Sequence, residues 1–209
     1  MKQQLAWLGA VACLIPLSFI QAPYPQELVL QHVPSVLAVF GLIWVITHCR
    51  ISSRSLTCLI AFLFLHVLGA RWIYSFVPYD DWTRSLVGIS LSEQLGWQRN
   101  HYDRLVHFAS GLLGVPPASE LLQRAASMRP RGAAIMAVSV VLSVGAIYEI
   151  LEWQIAVTLS PAQAEAYNGQ QGDVWDPQKD LALAWLGGMI SAAAVSRWRP
   201  QLSSLHVSG

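Results

Sequence analysis

Three short stretches of this chain carry side chains that could do chemistry, two inside otherwise apolar helices and one in the segment that leads into the last helix. The first runs from Asn100 to Phe108 and holds Asp103, Arg104 and His107. Asp103 and His107 are four residues apart, so on a helix they share one face. The second, Tyr148 to Trp153, holds Glu149 and Glu152 at a spacing of three, again on one face. The third, Gln171 to Asp180, holds Asp173, Asp176, Lys179 and Asp180. One imidazole with several carboxylates suits a divalent ion such as Zn, Mn or Fe, or Mg if the carboxylates dominate. His107, Glu149, Glu152, Asp173, Asp176 and Asp180 are the candidate ligands. The same residues suit general acid/base work, with His107 as acid or base and Asp103, Glu149 or Glu152 beside it. Arg71, Arg104 and Lys179 are candidate clamps for a phosphate oxygen, with His66 a further neighbour on the third helix. No H-E-x-x-H motif and no serine or cysteine in a nucleophile motif is present, so water-mediated hydrolysis or acid/base transfer is the enzyme chemistry to expect.

Charged groups in lipid cost several kcal/mol unless they meet partners, so the elements around them decide their meaning. Hydrophobic types make up 54% of the 209 residues, charged types only 12%, and the mean hydropathy is +0.44. A soluble chain carries about 25% charge, so the composition says membrane. A net charge of +1 gives no reason to expect nucleic acid. The expected partners are membrane lipid and a lipid-linked phosphate.

A bilayer core of about 30 Å needs roughly 20 apolar helical residues. Six such windows occur, at about 5–20, 33–47, 56–76, 102–122, 133–159 and 181–195. The expectation is an all-α, single-domain bundle of six transmembrane helices over 1–209. The first window ends in Ile20-Gln21-Ala22 with Pro23 directly after, a poor cleavage site, and is expected to be a retained helix. The stretch 84–97 is too polar to span, but its apolar residues fit an interfacial helix. Trp72, Trp82, Trp97, Trp153 and Trp175 would share that level as an aromatic belt. Pro116 and Pro117 predict a kink or break in the fourth helix.

With both termini cytoplasmic, the inner side receives Lys2, Arg50, Arg54, Arg124, Arg129, Arg131, Arg197 and Arg199. Of the twelve acids, only Glu120 then falls in the cytoplasmic half, near Arg124. The rest gather on the outer side, where the three polar stretches converge. Asp176-Pro177 reads as a helix cap followed by proline at the first helical position. Cys13, Cys49 and Cys58 form no C-x-x-C pair and imply neither disulfide nor zinc knuckle. Small residues at Gly111, Gly114, Gly187, Gly188 and 192–194 allow close helix packing.

The motifs N-x-Y-D-R-x-x-H-F, Y-E-x-x-E-W and Q-G-D-x-W-D-x-Q-K-D, at Asn100 to Phe108, Tyr148 to Trp153 and Gln171 to Asp180, resemble the YjdF family of bacterial inner-membrane proteins. The resemblance spans essentially the whole chain and implies a multi-pass protein of the bacterial inner (plasma) membrane. A weaker similarity runs to VanZ-like membrane proteins, associated with glycopeptide antibiotic resistance. It rests on Asp103, His107, Phe108, Glu149 or Glu152, and Asp180 followed by Gly187 and Gly188; the Q-G-D segment departs from that pattern.

Three functions remain open on the residues alone. One is a metal-assisted hydrolase or transferase acting on a lipid-linked or envelope phosphate. Another is a non-enzymatic binder or transporter that relays protons or holds a cation. The third is an ion-pair network that only locks helices together.

Overall fold

The computed structural model describes residues 2–48, 51–158 and 170–197. Cys49, Arg50, the turn around Pro161, Asn168, Gly169 and Arg199 lie outside the described residues. Among those described, the chain forms eight helices: α1 (Lys2–Ser18), α2 (Pro25–His48), α3 (Ser53–Ala70), α4 (Tyr79–Val87), α5 (Leu91–Leu95), α6 (Tyr102–Ala125), α7 (Pro130–Thr158) and α8 (Asp176–Val195). The fold is all-α. By length and composition three helices, α2, α3 and α7, can cross a membrane, and α1 is a shorter apolar helix.

The helices form two groups. α1, α2 and α3 pack around Leu8, Val11, Leu42, Leu56, Ile60, Leu63 and Val67. α6, α7 and α8 pack around Val115, Ala134, Ala137, Val138, Ala192 and Val195. α3 against α6 joins them, through Tyr74, Val77, Tyr102 and Val106. The α6–α8 contact is the most extensive and is made by glycine. A Cβ on Gly111 would run into the Ala184 carbonyl, and one on Gly187 into the Phe108 carbonyl. Backbones this close require small residues on both sides, as the packing expectation held.

Several sequence expectations change in detail: α2 begins at Pro25 rather than 33, and Asp176 is the first residue of α8, with Trp175 rather than Asp176 at the cap position. α3 ends at Ala70 rather than 76, because Ile73 and Tyr74 turn into the left-handed region (φ 44° and 57°). The stretch 84–97 is two short helices over 79–95, not one. Gly88 (φ 77°) ends α4 and Gly96 (φ 66°) ends α5, while the Ser90 hydroxyl accepts from the Glu93 N–H to start the second. α6 runs through Pro116 and Pro117 without a break in its helical assignment.

At the far end of the bundle from the polar stretches, Glu120 is 1% exposed and fully engaged. It accepts from the Ser52 N–H (2.8 Å), the Ser52 and Ser55 hydroxyls (2.6 and 2.5 Å) and Arg124 (2.6 Å). The pairing with Arg124 is the one its i,i+4 spacing indicates; the serines tie the start of α3 to α6. Cys13 and Cys58 are free thiols.

Candidate functional site

The N-terminus of α6 is held before its first turn. The Asn100 side chain donates to the Val77 carbonyl (2.8 Å) and accepts from the Tyr102 N–H (3.0 Å), and the His101 N–H donates to the Tyr79 hydroxyl (3.0 Å). The Gln171 amide brackets the same residue, accepting from the Asn100 N–H (2.9 Å) and donating to its carbonyl (3.1 Å). The Tyr102 hydroxyl donates to the Leu65 carbonyl (2.9 Å), fixing the rotation of α6 against α3. These contacts aim Asp103 and His107 at α7 and α8.

His107 Nε2 stands 3.6 Å from Asp103 Oδ1 and 3.6 Å from Glu149 Oε1. Asp103, His107 and Asp180 each offer one ligand atom within 4.8 Å of the others. Asp180 is 2% exposed, and the side chains of Asp103, His107 and Glu149 are only 15%, 12% and 10% exposed. A distance of 3.6 Å is too long for a hydrogen bond. It is close to the spacing between donors that sit about 2.1 Å from one tetrahedral ion, about 3.4 Å. Asp180 Oδ1 and Glu149 Oε1 are buried with no hydrogen-bond partner among the described residues. Buried carboxylate oxygens are rarely left so. Glu152, one turn beyond Glu149, lies in electrostatic range of Asp103 and Glu149 and adds a further carboxylate to the same face.

The other two predicted acids have cations. Asp176, 3% exposed, takes Arg99 on both oxygens, with Nη2–Oδ2 at 3.3 Å, and Arg104 Nη2 at 3.3 Å. Asp173 Oδ2 takes Arg104 Nη2 and Lys179 Nζ, each at 2.6 Å, and Arg99 Nη1 at 3.6 Å. The Lys179 ammonium, with the Trp175 N–H and Arg104, holds the Asp173 carboxyl down at about 2 despite the opposing effect of burial. Asp173 and Asp176 therefore form an ion-pair rim beside the His107 cluster. Arg104 and Lys179 belong to that rim. Arg71 does not: its guanidinium donates to the Ser18 and Ile20 carbonyls at the end of α1 and lies over Trp72. Those carbonyls lack helical donors, and a cation near a helix C-terminus is favoured.

His66 is also elsewhere, bonded to the Gln31 carbonyl (3.2 Å) and the Tyr74 hydroxyl. It belongs to a buried polar string in which His32 meets Ser18 (2.7 Å) and Ser35 (3.1 Å). Arg99 and the Asn100–Gln171 pair are site-building residues that sequence reasoning passed over. Arg99 had one available signal, its place directly before the Asn100 motif in a region poor in cations.

The charge of the site follows from these partners. Asp103, Glu149, Glu152, Asp173, Asp176 and Asp180 face three cations, Arg99, Arg104 and Lys179, all turned to the rim. The inner carboxylates make no ion pair with these cations among the described residues: His107 is their nearest basic group, and Arg99 and Arg104 act on Asp103, and Arg104 on Asp180, only at longer electrostatic range.

A model of a family described as predicted membrane protein (DUF2238) matches residues 3–201. Inner membrane protein YjdF of Escherichia coli K12 is 35% identical over 141 residues, which cover 65% of this chain and 63% of that protein. The match thus spans less than two thirds of that relative's length. No solved structure matches. With helices apolar enough to span a bilayer, these likenesses make the chain a protein of the bacterial inner membrane. By its family match the chain belongs to the DUF2238 predicted membrane proteins.

Proposed function

We propose that this protein is a membrane enzyme whose divalent metal ion, held by Asp103, His107 and Asp180 with Glu149 alongside, assists hydrolysis or transfer of a lipid-linked or envelope phosphate. One observation carries the reading: Asp180 Oδ1 and Glu149 Oε1 are buried without a hydrogen-bond partner among the described residues, while Asp180 stands at ligand spacing with Asp103 and His107, and Glu149 stands 3.6 Å from His107. Anions so placed need a compensating cation, and the nearby side-chain cations are turned to Asp173 and Asp176.

In this reading α1, α2, α3, α6, α7 and α8 are six membrane spans, both termini are cytoplasmic, and the site faces outward. The arginine and lysine distribution supports that orientation. The exposed apolar residues of the α4–α5 segment, Leu86 at 82% and Val87 at 67%, suit a segment resting on the outer leaflet.

When bound, the ion supplies a Lewis acid and lowers the pKa of a water ligand. Asp103 and Asp180, on facing helices, would hold it together with His107. Glu149 and Glu152, on the adjoining face of α7, are placed to receive a proton from an attacking water. Arg104 and Lys179 at the rim give the phosphate its cationic side. Purified protein should carry about one divalent ion per chain and release inorganic phosphate from a prenyl diphosphate in a metal-dependent way. His107→Ala and Asp180→Asn should lose both while remaining folded. Full metal content in both variants would overturn the assignment.

The rim gives a specific reason to keep one part of the cluster structural. Arg99 and Arg104 on Asp176 tie the start of α6 to the start of α8, so this half works as an ion-pair lock whatever the inner cluster does.

A further inference from the structure

Asp173 lies in the short segment before α8, outside the helices. Gln171 (φ 49°) and Gly172 (φ 80°) turn the chain there so that the Asp173 carboxylate comes back over the first turn of α8. Its Oδ1 accepts from the Trp175 N–H (3.1 Å), and its Oδ2 gathers Lys179, Arg104 and Arg99. The helix has no side-chain cap at Trp175. Three cations and one backbone N–H, that of Trp175 directly before α8, converge on one anion, and clustered guanidinium and ammonium groups are the arrangement by which proteins bind phosphate.

The two rim acids are not equivalent. Asp176 is buried and takes Arg99 through both of its oxygens. Asp173 sits at the edge, and its partner Lys179 is 47% exposed. Arg104 Nε, buried beneath, has no hydrogen-bond partner among the described residues. Were Asp173 to swing out on its glycine-containing turn, Asp176 would still hold Arg99 and Arg104 in place. Of the cradle's cations, Arg99 and Arg104 would then pair directly with Asp176, with Asp103 and Asp180 of the inner cluster acting on Arg104 at longer range.

We propose that Asp173 is a built-in occupant of an anion site formed by Arg99, Arg104, Lys179 and the Trp175 N–H, and that a phosphate or diphosphate group exchanges with it. This rests on the metal-assisted reading only for its purpose. The site would hold the non-reacting phosphate of the substrate, with Asp173 closing the cradle when no ligand is present.

The test uses the full chain in detergent micelles with EDTA present, so that the inner cluster takes no part. Inorganic pyrophosphate is titrated calorimetrically into wild type and Asp173→Asn. The variant should bind at least about tenfold more tightly, since a competing internal anion is gone. Adding Lys179→Gln to it should reverse the gain. A folded Asp173→Asn that binds no more tightly than wild type, or the failure of both to bind at millimolar pyrophosphate, overturns the proposal. If Asp173→Asn does not fold, Lys179→Gln alone decides: several-fold weaker binding supports the site, and unchanged binding removes it.

Farnesyl diphosphate in the same micelles distinguishes the source of the anion. Tighter binding than pyrophosphate supports the site with a lipid-borne ligand, and equal binding supports it with a free one. Metal binding that survives while pyrophosphate fails would sink this inference and leave the proposed metal centre standing. The reverse result would do the opposite.

Discussion

Gly187 of α8 lies directly against the carbonyl of Phe108 on α6, next to His107, so close that a Cβ there has no room. Asp180 is two turns before Gly187 on the same helix, and this contact therefore sets how near Asp180 comes to His107. Gly187→Ala should push α8 away from α6 and cost about 1–3 kcal/mol by overpacking. Thermal unfolding in detergent should show the loss, and metal affinity should fall at least about tenfold if the ligand spacing depends on it. Wild-type metal affinity in a clearly destabilised Gly187→Ala would separate the packing from the site.

Asp180→Asn should act in opposite directions on stability and binding. It removes the charge of a buried carboxylate whose Oδ1 has no hydrogen-bond partner among the described residues, so the metal-free protein should gain about 1–3 kcal/mol. The stabilisation that metal gives wild type, about 2.7 kcal/mol at a hundredfold excess over Kd, should vanish. Melting curves with EDTA and with added zinc or manganese measure both. A variant less stable than wild type without metal would show that Asp180 already has a partner.

Glu120→Ala should be among the more damaging single changes at the opposite end of the bundle. It strips partners from Arg124, the Ser52 N–H and two serine hydroxyls at once. Breaking a buried pair of this kind costs about 3–5 kcal/mol. Hydrogen exchange at the start of α3 should accelerate first, and Glu120→Gln, which keeps an acceptor, should lose less. Phosphate release per folded molecule should be unchanged in both.

Acid should loosen the rim in two stages. Burial, with Arg104 and Arg99 nearby, pushes His101 below its ordinary 6.5, so the folded state holds it neutral. Stability from that source falls once pH drops under 6.5, where the unfolded chain takes up the proton more readily. The Asp173 carboxyl is held down at about 2 by Lys179, and its contribution is lost as pH falls from its ordinary 3.8 through about 2. Fluorescence of Trp97, stacked on His101 at 4.3 Å, and of Trp175 next to the rim should follow the two steps. Asp173→Asn should lack the second; an identical acid profile for wild type and variant would show that Asp173 contributes nothing there.

Much of this protein is written locally in its sequence. Apolar windows mark the long helices because an apolar segment can satisfy its backbone groups with helical bonds of its own. Spacings of three and four place Asp103 with His107, Glu149 with Glu152 and Glu120 with Arg124, since such neighbours share a helix face. Ordered motifs identify the family. The tertiary structure alone decided which polar groups meet across distant stretches of the chain. Arg104 and Asp173 are 69 residues apart, Arg99 and Asp176 77, and Ser52 and Glu120 68. No periodicity reaches across such separations. The decision falls to the glycine contact that brings α6 and α8 together, and to the turn at Gln171 and Gly172. Together they sort six acids of one polar region into a rim directly paired with cations and an inner set gathered around one histidine.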